Sequence, residues 1–236
     1  MMIARIKCKN IFIIFLFLNL IGGFLLSLLL HHQPSNKSAK NYIFKLDHPL
    51  SLRSHCSCRK EVVNIINYTS DFSRPLCDLY KVLRRGNGQK VVSYSLYGSD
   101  PLYYSQIKEI SKQVAKYYPG WIMRIYYDKS VNQSIICEYE CLKDEVTGNY
   151  TDNIDFCNIN QIPFGNPIET WDAQYMHSMK WRFLPVGDPF VDMFMSRDLD
   201  SWIVEREVSA VNEWINSNTL LHAMRGIFLY LLFIIN

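Results

Sequence analysis

The alternation of apolar and polar residues predicts a strand, a helix and a second strand in the middle of the chain. Val91 to Gly98 is rich in β-branched and aromatic residues, which favours a strand. A helix is predicted from Pro101, which suits a first helical position, with Ser99 or Asp100 as its cap. Apolar residues then recur on one helical face, at Tyr103, Ile107, Ile110, Val114 and Tyr117. Trp121 to Tyr127 predicts the second strand, so the whole segment is a βαβ unit with parallel strands.

A second junction between a strand and a helix lies towards the carboxyl end. Phe190 to Met195 is an apolar run of strand length, and Val204 to Ile215 carries apolar residues at helical spacing, with Ser201 as a candidate cap. Asp198 and Asp200 stand between the strand and the helix. Ligands of open α/β sheets bind where strands end and helices begin, so this junction is the predicted site of chemistry.

The segment between these two units is less regular. Asn132 to Asn166 predicts a loop that carries one short strand, Ile154 to Ile159. Glu169 to Phe183 predicts a helix, because its apolar residues are spaced four positions apart. Lys180 and Arg182 are candidates to neutralise a diphosphate, although basic residues are also common at solvated helix ends.

The amino end predicts a membrane anchor. Ile11 to Leu30 contains no charged residue, and its length is enough to cross the hydrocarbon core as a helix. Arg5, Lys7 and Lys9 precede it without any acid, which places the first residues in the cytosol. A cleaved signal peptide is the alternative interpretation. The predicted organisation is a cytosolic tail at 1–10, a signal anchor at 11–30, a luminal stem at 31–88, a luminal domain at 89–225 and an apolar tail at 226–236.

Sequons and cysteines favour the secretory lumen for the rest of the chain. The N-x-S/T pattern begins at Asn36, Asn67, Asn132 and Asn149. Six cysteines follow the span, namely Cys56, Cys58, Cys77, Cys137, Cys141 and Cys157. An even number in an oxidising compartment predicts disulfides, but the sequence does not choose their pairing. A zinc site built from the first two, Cys137 and Cys141 is the alternative, which the spacing does not favour.

The charge balance argues against nucleic acid as a partner. Three of the 25 Lys and Arg residues precede the span, which leaves 22 against all 22 Asp and Glu residues beyond it. The predicted luminal part is therefore formally neutral. It has no basic stripe that could follow a phosphate backbone.

Two carboxylates one residue apart at a strand end suit a hard divalent cation. Mg²⁺ or Mn²⁺ usually takes one or two carboxylates together with phosphate oxygens of a substrate, and Asp198 and Asp200 offer such a pair. A D-x-D triplet also arises by chance in chains of ordinary length. His177 is interpreted as a structural or surface residue rather than as a further metal ligand.

The apolar strand, the D-x-D triplet and the secretory features together resemble glycosyltransferases of the GT-A, nucleotide-diphospho-sugar transferase fold. The resemblance covers Gln89 to Arg225 and implies a Rossmann-like α/β sandwich. It implies that Asp200 binds Mn²⁺ or Mg²⁺ directly, and that Asp198 contacts the ribose or the metal shell. By position it also brings three residues near the nucleotide, Tyr97, Gly98 and Asp128. Without the resemblance, these three are interpreted as a core residue, a turn and a polar strand end.

The function implied by the resemblance is sugar transfer in the Golgi or endoplasmic reticulum by a type II membrane protein. A nucleotide-sugar donor would be bound through the metal, and the acceptor would be a glycan, a lipid or a protein. Such transferases carry further elements after the motif, including the acceptor pocket, whereas 36 residues follow Asp200 here. We therefore expect a product truncated at its carboxyl end, whose catalytic residues stay unassigned. The alternative is a membrane-anchored, glycosylated ectodomain that binds another protein and in which the D-x-D is fortuitous.

Overall fold

The computed structural model describes residues 2–5, 43–69, 75–164, 166–217 and 219–224. The predicted anchor at 11–30, the sequon at Asn36 and the predicted apolar tail at 226–236 lie outside these residues. Within the described ranges, no helix is long and apolar enough to cross a membrane.

The described residues form strands, α-helices and 3₁₀ helices. The strands are β1 (Met2–Arg5), β2 (Ile43–Arg53), β3 (Val62–Thr69), β4 (Gln89–Leu96), β5 (Ile122–Tyr127), β6 (Ile154–Asn158), β7 (Ile162–Phe164), β8 (Asn166–Trp171), β9 (Val191–Ser196) and β10 (Leu221–Ala223). The α-helices are α1 (Leu79–Arg85), α2 (Pro101–Tyr117), α3 (Gln133–Glu140) and α4 (Glu205–Ser217). Two segments are 3₁₀ helices, Ile159–Gln161 and Ser178–Gly187.

A six-stranded sheet forms the centre, in the order β10-β1-β9-β4-β5-β6. The four strands β9, β4, β5 and β6 run parallel to one another. β1 pairs antiparallel with both β9 and β10. Two antiparallel hairpins, β2-β3 and β7-β8, stand apart from this sheet. The predicted α/β class with parallel strands is confirmed, and the arrangement is compatible with a Rossmann-like fold.

The predicted βαβ unit corresponds to β4, α2 and β5. Val91 lies beside Ile122 in parallel register, as a crossover through a helix requires. Asp100, rather than Ser99, caps α2, since its carboxylate accepts a hydrogen bond from the Leu102 N–H at 2.9 Å. Pro101 follows at the first helical position. Local signals alone are therefore enough to specify this unit.

Helices and 3₁₀ segments cover both faces of the sheet. On one face, apolar residues of α2 and α4 pack on the strands, among them Ile107, Ile110, Val114, Val211 and Trp214. On the other face, α1 and the longer 3₁₀ segment contribute Val82, Trp181 and Leu184. Because both faces are covered, β5 is buried along its whole length. Such continuous burial is typical of parallel strands.

Three disulfides connect the segment before β4 to the parallel sheet region. They are Cys56–Cys137, Cys58–Cys141 and Cys77–Cys157, with Cα–Cα distances of 5.2, 5.7 and 4.8 Å. The predicted disulfides are thus confirmed, and the alternative zinc site is excluded because its four cysteines are paired as disulfides. Disulfides persist in oxidising compartments, which supports an extracellular or luminal environment.

The predicted helix from Glu169 to Phe183 is wrong. The structure places Thr170 in β8, opposite Pro163 of β7, and a helical turn begins only at Ser178. Pairing with β7 satisfies the backbone of this segment, and that pairing depends on a partner strand rather than on the spacing of apolar residues within the segment.

The predicted cap at Ser201 is also wrong, because α4 begins at Glu205. The guanidinium of Arg197 donates hydrogen bonds to the carbonyl oxygens of Ser201 and Trp202, at 2.7 and 3.0 Å. These bonds hold the chain in an irregular loop between β9 and α4.

The strand β1 and the predicted cytosolic tail share residues. A tail in the cytosol could not pair with β9 in the lumen. The pairing of β1 with β9 and a cytosolic tail at 1–10 therefore exclude each other in one molecule. Residues 6–42, which connect β1 to the rest of the chain, lie outside the described part. The anchor therefore stays a prediction, and an assay of membrane topology distinguishes the two arrangements.

Candidate functional site

The chain reverses direction across the sheet at β4. From β4 it proceeds to β5 and β6 on one side, and then returns to β9 on the other side of β4. The carboxyl ends of these four parallel strands lie at one edge of the sheet. Open α/β sheets bind ligands at the carboxyl edge beside such a switch point. The loops after β4 and β9 are therefore the place where a ligand is expected.

A cleft of about 490 Å³ lies at this carboxyl edge. Its wall includes Tyr97, Gly98, Asp128, Ser130, His177 and Trp181. The three residues that the sequence placed near a nucleotide, Tyr97, Gly98 and Asp128, are thus brought together in one wall. They come from the loops that follow β4 and β5.

Hydrogen bonds fasten the loop after β4 to the loop after β5. The Gly98 N–H donates to the Ser130 hydroxyl oxygen at 2.8 Å, and that hydroxyl donates to the Asp128 carboxylate. The Tyr104 hydroxyl donates to the Gly98 carbonyl oxygen. Gly98 has a φ of 76°, a conformation that favours glycine. The Gly98 backbone in the cleft wall is therefore held in place by the side chains of Ser130 and Tyr104.

Tyr97 presents an aromatic surface at the cleft. Its side chain is 44% exposed, which contradicts its interpretation as a core residue. The ring meets the buried Trp181 edge-on, with the centroids 6.0 Å apart. Trp181 in turn donates its indole N–H to the Met176 carbonyl oxygen at 3.1 Å. Tyr97 is thus supported from behind and available to a ligand in front.

The D-x-D loop directs its two carboxylates towards solvent. Asp198 and Asp200 are exposed, whereas Leu199 between them is 3% exposed and packs into the core. The Ser201 N–H donates to the Asp198 carbonyl oxygen at 3.3 Å, so the loop turns back at this point. A single apolar residue in the middle of the motif therefore orients the two acids.

A buried ion pair lies beneath this loop. Arg197 and Glu207 are 4% and 7% exposed and form a salt bridge with each other. The Tyr118 hydroxyl donates to Glu207 at 3.0 Å. Burial raises the pKa of Tyr118, and the neighbouring Glu207 raises it further. Arg197 thereby connects the D-x-D loop to α2 and α4.

Arg182 reaches the D-x-D loop from the longer 3₁₀ segment. Its guanidinium forms a salt bridge with the Asp198 carboxylate. Its backbone N–H donates to the Ser95 hydroxyl oxygen of β4 at 3.0 Å. The structure therefore brings together three of the residues predicted at the site, Asp198, Asp200 and Arg182, near the end of β9.

The two carboxylates of this loop are too few to coordinate a metal ion by themselves. Among the described residues, no group of three or more His, Cys, Asp or Glu side chains could hold a metal ion. Asp198 and Asp200 alone provide carboxylate oxygens that Mg²⁺ and Mn²⁺ accept, but these ions then require phosphate oxygens or water as further ligands. Two carboxylates are therefore a partial ligand set, which phosphate oxygens or water would have to complete.

A second cavity, of about 270 Å³, lies at the amino edge of the same strands. Arg84 and Arg85 line it together with Asp152, and Arg84 lies 2.8 Å from that carboxylate. Arg85 binds the buried Asp155 through two hydrogen bonds of 2.7 and 2.8 Å. The arginines that line this cavity are already paired with protein carboxylates. We therefore interpret them as structural ion pairs. The carboxyl-edge cleft remains the candidate site.

Several residues of the cleft were not predicted from the sequence. His177, interpreted as structural or surface, lies in the cleft wall and caps the 3₁₀ segment, since its Nδ1 accepts a hydrogen bond from the Met179 N–H at 3.4 Å. Ser130 and Trp181 carry no motif. Arg197, in contrast, directly precedes Asp198, and a cation next to the acids of the motif is a signal that the sequence offers.

The described sequons lie in three different settings. Asn132 is exposed and caps α3, where its side chain accepts a hydrogen bond from the Ser134 N–H at 2.9 Å. Asn149 is exposed in the loop before β6. Asn67 lies in β3. Their exposure suits Asn132 and Asn149 as acceptors for a glycan.

Comparison with known proteins leaves the family open. No protein-family model matches the chain, and no curated protein matches its sequence.

Proposed function

We propose that the chain is a glycosyltransferase-like protein of the GT-A type, which binds a nucleotide-diphosphate sugar with the help of Mn²⁺ or Mg²⁺. The observation that carries this proposal is the position of the D-x-D. Asp198 and Asp200 follow β9 at the switch point of a parallel sheet, at the same carboxyl edge as the cleft lined by Tyr97 and Asp128.

The proposed roles follow from the chemistry of each side chain. Asp200, together with Asp198, would hold the cation, which when bound neutralises the charge of the diphosphate leaving group. Tyr97 provides an aromatic surface for the base, and Asp128 accepts hydrogen bonds from the ribose. Arg182 forms a salt bridge with Asp198 and would contact the diphosphate.

The proposed setting is the lumen of the Golgi or endoplasmic reticulum. Three disulfides and the exposed sequons at Asn132 and Asn149 support an oxidising, glycosylating compartment. The acceptor would be a glycan, a lipid or a protein. We assign no catalytic base, and the proposal concerns the donor site alone.

The test replaces both carboxylates of the motif. Asp198→Asn with Asp200→Asn removes two negative charges, and we expect the full chain, purified in detergent, to lose Mn²⁺-dependent binding of UDP or GDP. Asp192→Asn is the matched control, because this exposed aspartate lies on the same strand at its other end. Binding of Mn²⁺ and nucleotide that is unchanged in the double variant would overturn the proposal.

A protein-binding ectodomain without enzymatic activity is the second candidate. The observation that favours it is the salt bridge between Asp198 and Arg182, which engages one motif carboxylate within the protein. This candidate places the chain at the cell surface, whereas the transferase is retained in the Golgi or endoplasmic reticulum. Immunofluorescence of intact and permeabilised cells separates the two.

A further inference from the structure

The Arg182 side chain is more buried than the carboxylate it binds. The Arg182 side chain is 18% exposed, whereas that of Asp198 is 58% exposed. The Ser95 hydroxyl fixes the backbone of Arg182, and its guanidinium carbon lies 5.6 Å from the centroid of the Phe183 ring. Arg182 is therefore a largely buried cation anchored through its backbone at the carboxyl edge, and Asp198 is the more exposed partner of the pair.

Arg182 also has hydrogen-bonding capacity that the described protein groups do not use. Its Nε–H is buried and has no hydrogen-bond partner within the described part of the chain. The guanidinium fork presents five N–H groups in one plane and matches the oxygens of a phosphate group in pairs. A phosphate oxygen that approached this fork would satisfy donors that Asp198 leaves unsatisfied.

Asp198 meets a conflict when a divalent cation arrives. Its carboxylate would then bind both the guanidinium and the metal, and these two positive charges repel each other at short distance. The conflict disappears if Arg182 exchanges Asp198 for an anion that arrives with the metal. A diphosphate is such an anion, since it binds a cation and a guanidinium at the same time.

We propose that Arg182 pairs with Asp198 when no donor is bound, and that it releases Asp198 and binds the diphosphate when the donor arrives. Metal and nucleotide would then bind together rather than separately. This inference rests on the proposed function, because it concerns the same site. It adds that Arg182 has two successive partners, first Asp198 and then the diphosphate. The exchange makes the unliganded motif a poor binder of free metal, and makes the nucleoside diphosphate the ligand that completes the metal site.

The test measures two affinities on the full chain in detergent, that of Mn²⁺ alone and that of UDP or GDP with Mn²⁺, both by calorimetry. Arg182→Gln should bind Mn²⁺ alone about two- to fivefold more tightly, because a partly exposed ion pair no longer competes for Asp198. The same variant should bind the nucleoside diphosphate with Mn²⁺ about tenfold more weakly, because a charge-assisted hydrogen bond is lost. Lys90→Gln, which removes an exposed cation at the amino edge of β4, should change neither affinity.

Opposite shifts in the two affinities are the signature of the exchange. If Arg182→Gln moves both affinities in the same direction, or moves neither, the exchange is wrong while the donor site stands. If the unsubstituted chain binds no combination of Mn²⁺ and nucleotide, the proposed function itself fails and the exchange fails with it. Should Arg182→Gln not fold, Arg182→Lys keeps the charge, loses the planar fork, and must show the same opposite shifts at smaller size.

Discussion

The charged residue that directly precedes the D-x-D is buried, and its partners explain the shape of the loop. Arg197 forms a salt bridge with Glu207, which also accepts the Tyr118 hydroxyl. A buried charge without a partner destabilises a protein strongly. The bonds of Arg197 therefore fix the conformation of the loop. The position of Asp198 and Asp200 therefore depends on a residue that touches no ligand.

Replacement of Tyr118 tests this network. Tyr118→Phe should lower the free energy of unfolding by about 1.5 kcal/mol, because a hydrogen bond to a buried carboxylate is lost. Tyr94→Phe is the matched control. Its hydroxyl is buried, with no hydrogen-bond partner among the described residues, so its removal should leave stability unchanged or increase it. Urea denaturation of both variants measures the difference, and equal losses in the two would contradict the network.

The buried Asp155 should make the free energy of unfolding depend on pH. Burial by itself raises the pKa of this carboxyl, but the Arg85 guanidinium overrides it and holds the pKa well below its usual range. A depressed pKa contributes stability above the unfolded value of about 4, which is lost as the pH falls towards the folded value. Asp155→Asn should lower the unfolding free energy at neutral pH by about 3 kcal/mol, because Arg85 loses its buried carboxylate partner and keeps only the half-exposed Asp152.

The pH dependence supplies the control for Asp155. The unsubstituted protein should lose stability steeply below about pH 4, and Asp155→Asn should show a shallower loss over the same range. Glu145→Gln changes an exposed carboxylate that pairs with Lys108 and Lys112, and it should leave the unfolding curve unchanged. Parallel pH profiles for Asp155→Asn and the unsubstituted chain would refute this account of the pair.

At the scale of elements, the start of α2 is set by a single cap. Asp100 accepts a hydrogen bond from the Leu102 N–H, whereas Ser99 does not form the cap. Asp100→Ala should therefore lower the unfolding free energy by about 1 kcal/mol. Ser99→Ala should have no measurable effect. Guanidinium unfolding curves of the two variants test the assignment, and a larger effect at Ser99 would reverse it.

The elements that the sequence predicted correctly carry their signals locally. Pro101, the spacing of apolar residues in α2 and the β-rich runs of β4 and β5 act within a few residues of each other. β8 was mistaken for a helix because its strand state depends on pairing with β7. The cysteine pairs could not be chosen for a similar reason, since each joins positions at least 80 residues apart.

The same distinction explains how much of the candidate site could be predicted. Asp198, Gly98 and Asp128 lie within two residues of strand ends, and parallel strands share a carboxyl edge, so sequence alone could group them. The salt bridge to Arg182 and the place of His177 in the cleft wall depend on the path of the 3₁₀ segment. No periodicity in that segment indicates which side chains face the edge of the sheet.

At the scale of the whole molecule, membrane topology separates two arrangements of the amino end. An anchor at 11–30 predicts that an epitope tag at Met1 is reached by antibody when only the plasma membrane is permeabilised, while Asn149 carries a glycan. Loss of the glycan in Asn149→Gln, seen as a shift in gel mobility, is the control for luminal exposure. A tag that stays protected would instead place β1 in the same compartment as β9, as the described strand pairing requires.

The most direct test of the proposed donor site is the melting temperature of the full chain in detergent, with Mn²⁺ alone, with UDP or GDP alone, and with metal and nucleotide together. A ligand that binds only the folded state stabilises it by about 2.7 kcal/mol at a hundred times its dissociation constant. We expect a rise that requires Mn²⁺ and one of the two nucleotides together and that disappears in the Asp198→Asn, Asp200→Asn variant. A cooperative transition that none of these combinations shifts would contradict the donor site and favour a protein-binding ectodomain.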